Sequence, residues 1–402
     1  MTKEKFFKKS FPLLAFGLLY SFFSSFGQTF LLSLYVPSIE EFLSISNTAF
    51  GGVYAAATVS SALTLPWLGG WFDRMEIRRY AVLVVAGLSA SLLLLSFAAH
   101  LFIVALAFYG LRLFGQGLMS HTSVSAMARY FTTGRGRAIG FAGLGHPLGE
   151  ALLPIIVTLL IGAVGWRGSL RLSALSCILL VIPLGVYLLH RSKVRIRAYA
   201  IQVQMTAGER NRVSLTTIIR GRVFWIIAPL VFMLGFSNTA LFFFQLKLGE
   251  ARDWSPEWVA GSISAFAMAS AFGMAAAGPL ADRFSGRRLF RIFAFPYLLG
   301  LAGLIFFGHP LAYPLALLFL GLANGSGSTI KNAMLAEIYG AEIIGSVRSI
   351  FAMVMVFSTS LGPIAFGLML DAGWSFSMAF ASVAGIMALA IANGMRRLPE
   401  KQ

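Results

Sequence analysis

Cysteine is almost missing: Cys177 is the only one among 402 residues. A disulfide framework or a thiolate metal site needs a set of them, so both are excluded. Charge is scarce as well. Charged residues make up 12%, about half the ~25% of soluble globular chains, too few to cover a soluble surface of this size. Acidic residues are the scarcer kind, 15 against 32 basic ones, for a net charge of +17. Low-complexity, collagen and heptad patterns are absent, which excludes disordered and fibrous classes. Nothing alternates polar and apolar residues in the ~10-residue segments of a membrane barrel. There is no phosphate loop, no set of paired metal ligands and no nucleophile beside a convergent base. The chain is therefore not read as an enzyme, and no cofactor, metal or nucleotide is expected.

What the sequence does have is apolar length. Hydrophobic residues are 58% before glycine is counted, against ~45–50% with glycine in soluble proteins, and mean hydropathy is +0.80. A span needs ~20 apolar residues, since ~1.5 Å per residue must cover ~30 Å of hydrocarbon. Twelve runs qualify: 11–36, 48–70, 80–99, 101–127, 138–163, 168–189, 221–248, 257–280, 289–308, 311–335, 346–370 and 374–395. Lys3, Lys5, Lys8 and Lys9 precede the first run as in a signal peptide. The run is too long for a signal core, shows no cleavage site, and reads as a retained span.

The basic residues set the orientation. With the N-terminus inside, 25 of the 32 fall on one face, in the N-terminal segment, alternate loops and the C-terminal segment. Arg167, Arg171, Lys247 and Arg252 fall on the other, and Arg112, Lys331 and Arg348 remain. By the positive-inside rule both termini are cytoplasmic, in the cell's inner (plasma) membrane. This accounts for the high net charge without nucleic acid as a partner.

The two halves repeat. Phe26-Gly27-Gln28-Thr29 returns as Phe236-Ser237-Asn238-Thr239, and Gly69-x-x-x-Asp73-Arg74 as Gly278-x-x-x-Asp282-Arg283. His100 returns as His309, Pro154 as Pro363, and Gly165-Trp166 as Gly373-Trp374, all at offsets of 208 to 210. Five matches in order indicate a duplicated six-span unit. The expected fold is all-α and integral to the membrane, with twelve transmembrane helices in two six-helix bundles related by a pseudo-twofold axis. The expected division is an N-terminal bundle over 1–190, a polar cytoplasmic linker over 191–219 and a C-terminal bundle over 220–402. Facing six-helix repeats place a substrate site near the midplane.

With these motifs in these loops, the chain resembles the major facilitator superfamily over nearly its whole length. The loop after the second span carries the superfamily's Gly-x-x-x-Asp-Arg pattern at Gly69, Asp73 and Arg74. The second glycine of the pattern is lost, and Ile77 replaces one arginine. Its second copy holds Gly278, Asp282, Arg283, Arg287 and Arg288. The resemblance implies that Asp73, Arg74, Asp282 and Arg283 latch the cytoplasmic gate; a purely topogenic basic loop is the alternative. Ala336-Glu337-Ile338-Tyr339-Gly340, with Gly362-Pro363, resembles the branch of monocarboxylate and oxalate/formate-type carriers. That branch's arginine within the eighth span is missing here.

Few polar residues lie inside the spans. Arg112 is ~17 Å from the start of the fourth span at ~1.5 Å per residue. A charge there costs at least ~2.5–3.5 kcal/mol and needs a partner or a wet cavity. Gln116 shares its face. Glu150 lies at similar depth on the fifth span, with His146 one turn earlier on the same face. Burial raises a carboxyl's pKa and a nearby guanidinium lowers it, so a carboxyl in both fields can exchange a proton as its cavity opens. A static Arg112–Glu150 pair is the other reading. Gln28 and Asn238 are repeat equivalents that could line a shared site. Asn324 and Lys331 sit on the tenth span, where Lys331 either adds charge to the cavity or snorkels to the surface.

The function expected is secondary active transport of a small organic solute, an organic anion held by Arg112 or Lys331, by alternating access with proton coupling. A proton-driven drug or metabolite exporter is one alternative. A non-transporting sensor or lipid-handling protein on the same fold is another. The expected partners are the substrate, protons and the bilayer, with the chain acting as a monomer.

Overall fold

The computed structural model describes residues 3–131, 135–192 and 215–395. Among these there are helices and turns and no strand. α1 begins as Lys3–Phe23 and resumes past a break as Thr29–Leu32 and Val36–Leu43. α2 is Asn47–Gly69 and α3 is Ile77–Ser96. α4 runs through Leu101–Gly110, Leu111–Met119 and Ser120–Tyr130. α5 opens as Arg135–Gly143; it then shares Gly145–Ser176 with α6, which ends in Ile182–Arg191. α7 is Arg222–Phe243 and α8 is Pro256–Phe284. α9 is Gly286–Phe290 followed by Phe295–Phe306. Ala312–Asp371 contains α10 and α11, and α12 is Phe376–Gly394.

Ten described stretches are long and apolar enough to cross a membrane. One of them, Ala138–Arg191, turns back at Gly165 and holds both α5 and α6. α10 is less apolar than the others, with Asn324, Ser326, Ser328, Thr329, Lys331 and Asn332 close together along it. With it, the described residues hold twelve helices of membrane-spanning kind. The most exposed apolar side chains, Leu63, Phe102, Phe306 and Leu389, are each more than 70% exposed, a surface suited to lipid and not to water. Most of the linker expected over 191–219 lies outside the described residues.

The Gly-Trp repeat has a backbone cause. Gly165 and Gly373 sit at φ of 73° and 82°, a region where a Cβ is strained. They turn the chain after α5 and after α11. Ser375 then caps α12 by accepting from the Met378 N–H, and Ser255 caps α8 by accepting from the Trp258 N–H.

The chain forms two compact units, Met1–Leu43 with Ala56–Glu209, and Ser44–Ala55 with Arg210–Gln402. In each, small residues let helices touch at the backbone. In the second unit, a Cβ on Gly325 of α10 would fall 1.9 Å from the Ser270 carbonyl oxygen of α8, and one on Gly362 of α11 2.5 Å from that of Phe236 in α7.

Candidate functional site

In the first unit the site is built around a break in α1. Ser24–Gly27 tightens into a 3-10 turn, and Gln28 is extended at φ −88° and ψ 150°. The break coincides with a crossing. A Cβ on Gly27 would meet the Gln116 amide nitrogen at 2.2 Å and the Leu111 carbonyl oxygen at 2.3 Å. α4 is itself widened here, because Leu111–Met119 is π-helical, a distortion often found at functional sites. Arg112 starts that widened turn, is 3% exposed, and donates from Nη1 to the Gly27 carbonyl at 3.2 Å and to the Thr29 hydroxyl at 3.5 Å. The break frees a carbonyl, and the buried guanidinium takes it up. Non-helical backbone at membrane depth persists only where such partners or a wet cavity satisfy it.

α5 reaches the same level of α1 from another side. A Cβ on Gly149 would lie 2.2 Å from the Ser25 hydroxyl, and one on Gly145 2.2 Å from the Leu18 carbonyl oxygen. Glu150, next to this contact, is 6% exposed. Its carboxyl makes no hydrogen bond or ion pair among the described residues, so no Arg112–Glu150 bridge forms in this structure. His146 packs its ring edge on Phe30 at 6.0 Å. Gln28 and Gln116 are half-buried at the crossing. The structure therefore gathers Gln28, Arg112, Gln116, His146 and Glu150 around one break, and adds Thr29.

The second unit holds a separate polar cluster. Asn238 of α7 donates to the Asn324 side-chain oxygen of α10 at 3.0 Å, and the Tyr297 hydroxyl of α9 donates to Asn238 at 2.9 Å. Tyr297 is fully buried and fixes which way the Asn238 amide faces. Asn324 presents an amide group with two donors. Lys331 is half-buried further along α10. Tyr297 stands alone in an apolar run, and no spacing in the sequence singles it out.

At the loops expected to act as gates, Arg74 and Arg283 are exposed, and Arg283 lies over the Phe284 ring at 5.2 Å. The side chains of Asp73 and Asp282 lie outside the described residues. Two other residues bind these loops. Arg129 of α4 donates to the Phe72 carbonyl at 3.0 Å and stacks on its ring at 4.2 Å. Glu337 of α10 accepts from the Ser285 hydroxyl at 2.7 Å, the Gly286 N–H at 2.6 Å, and the Arg287 N–H and Nε at 3.3 Å. Burial alone would raise the Glu337 carboxyl, but the Ser285, Gly286 and Arg287 bonds and the Arg287 charge hold it below the usual range. A depressed carboxyl stabilises the fold above its unfolded pKa, about 4.3, and loses that contribution as pH falls through its folded value. Glu337→Gln is expected to cost about 1 kcal/mol at neutral pH. In thermal melts its deficit against the wild type should shrink as the pH is lowered from 7 to 3.

The Major Facilitator Superfamily profile matches residues 17–323. The chain belongs to the Major Facilitator Superfamily. Two relatives in the superfamily are named for acids. The hexuronate transporter of Bacillus subtilis (strain 168) is 24% identical over 392 residues, covering 89% of this chain and 88% of that one. Monocarboxylate transporter 11 of Homo sapiens is 31% identical over 177 residues, 43% of this chain and 35% of that one. The crystal structure of the nucleoside transporter NupG shares the fold at a TM-score of 0.75 and 12% identity, covering 96% of this chain and 98% of that one. This superfamily member is thus a multi-pass membrane transporter of small solutes.

Proposed function

We propose that the protein carries a small organic anion, a carboxylate, across the inner (plasma) membrane with coupling to protons. The observation that carries this reading is the pair of buried charges at the α1 break. Arg112 supplies a fixed positive charge, and Glu150 is a carboxyl with no fixed partner, free to take or release a proton. The hexuronate and monocarboxylate names of the relatives support a carboxylate.

In this reading both termini are cytoplasmic, a linker over 191–219 joins bundles over 1–190 and 220–402, and the chain works as a monomer. Alternating access follows from one repeat rocking against the other. Gln28, Gln116, His146 and Lys331 complete the polar lining, and the loops at Asp73, Arg74, Asp282 and Arg283 act as the cytoplasmic gate.

Proteoliposomes test it directly. With an imposed pH gradient, a labelled hexuronate or short monocarboxylate should accumulate, and a protonophore should abolish the accumulation. Accumulation that ignores the protonophore overturns proton coupling. No uptake of any carboxylate across a broad panel overturns the anion.

A further inference from the structure

The second unit includes a piece of the chain's first half, Ser44–Ala55. This is the start of α2, and one carboxylate holds it. Asp371, the last residue of α11, accepts from the Asn47 side-chain amide at 2.7 Å, the Thr48 N–H at 2.8 Å and the Thr48 hydroxyl at 2.5 Å. Asn47 and Thr48 open α2. The first turn of a helix carries N–H groups without helical partners and a partial positive charge. Asp371 satisfies both from another helix, 323 residues away from Thr48. Lys247, just past α7, donates to the Asn47 side-chain oxygen, so Asn47 is held from two sides.

Below this cap backbone meets backbone at two glycines. A Cβ on Gly51 would lie 2.9 Å from the Pro363 carbonyl oxygen, and one on Gly367 3.0 Å from that of Asn47. Phe50 and Tyr54 lean on the Phe243 ring, with centroids 5.7 and 4.9 Å away. Glycine here brings backbone onto backbone, and the Phe50 and Tyr54 rings add apolar packing beside it. Asp371 and Lys247 supply directional bonds to Asn47 and Thr48 at this end.

We propose that Asp371 is a positioning residue for transport, a releasable latch that holds the start of α2 on α7 and α11. It rests on the alternating-access reading above, in which this contact must part once per cycle. The cap suits that task because Asp371 is exposed while Asn47 and Thr48 are half-buried, so water can replace each bond as it opens.

The test reads accessibility and not flux. Tyr54 is fully buried, and so is the native Cys177. Purified full-length Tyr54→Cys protein is labelled with a water-soluble maleimide, and both sites are followed by peptide mapping. Asp371→Asn should speed labelling at position 54 about tenfold, and Thr48→Val about threefold, the order expected for a lost helix cap. Cys177 should stay protected in both. An unchanged rate at position 54 overturns the latch. A parallel rise at Cys177 overturns it too, because it signals general loosening. Failure of the transport reading would instead appear as absent uptake in wild-type proteoliposomes, which this labelling does not measure.

Discussion

Arg112→Ala should lower carboxylate uptake about 30-fold to several-thousand-fold, with the folded protein still recoverable. Truncating one member of a buried, hydrogen-bonded charge pair costs about 2–5 kcal/mol. If the substrate carboxylate completes such a pair, the loss falls on binding. A second and smaller cost falls on stability, since the Gly27 carbonyl that Arg112 caps is left without that donor, worth about 1–3 kcal/mol. The two costs separate in one experiment. Thermal shift by the substrate reports binding, and the melt without substrate reports stability. Arg112→Lys keeps the charge but replaces a planar fork with a point charge, so it should restore stability poorly and raise KM with kcat less affected. If Arg112→Ala melts lower but transports with unchanged KM, the residue only staples the α1 break and the anion sits elsewhere.

Glu150→Gln should split transport into two parts. Exchange of labelled for unlabelled substrate needs no net proton movement, so it should persist. Accumulation against a gradient should vanish. One pH unit is worth 1.36 kcal/mol, or about tenfold in concentration per coupled proton, and the variant should forfeit all of it. The substitution preserves volume in a site that is 6% exposed, so packing is little disturbed. The structure also argues against a rescue through Arg112, which is bonded to α1 and not to Glu150. Full gradient-driven accumulation by Glu150→Gln would move the coupling site to another residue, with His146, one turn away, the first to examine.

Much of the architecture is legible in the sequence because the physics is local. Apolar length marks the helices, and the Gly-Trp repeat marks two turns whose positive φ requires glycine. α10 is the instructive exception. It is counted as a span by the run 311–335, yet it carries a run of polar residues, and Asn324 there belongs to the amide cluster. The site is legible in part for the same reason: an isolated charge in an apolar run stands out, which exposes Arg112 and Glu150. Their relation to each other is not local. No proline announces the break at Gln28; it lies at the contact of Gly27 with Gln116, nearly ninety residues away. Glu337 lies in a stretch that reads as a family signature, but its partners are 50 to 52 residues earlier. Asp371 is further still from Thr48. Contacts of that range leave no spacing to read.

Arg167, Arg171, Lys247 and Arg252, the four basic residues on the face opposite the main set, show what such contacts do to a field. Arg167 lies between Phe42 and Trp166 and donates to the Ala98 carbonyl, just past α3. Arg252 donates to the Leu304 and Phe307 carbonyls at the end of α9. Arg171 rests on Phe97, and Lys247 is bonded to Asn47. A helix C-terminus carries about half a negative charge, so the two arginines at helix ends are partly neutralised where they stand. With the orientation proposed above, the outer face then offers little long-range attraction to an anion, while the inner face carries most of the chain's cations. Encounter from outside proceeds at an unsteered rate, and encounter from inside is accelerated and falls with ionic strength. In that orientation the carrier's two faces would differ in kinetics even where its equilibrium does not distinguish them.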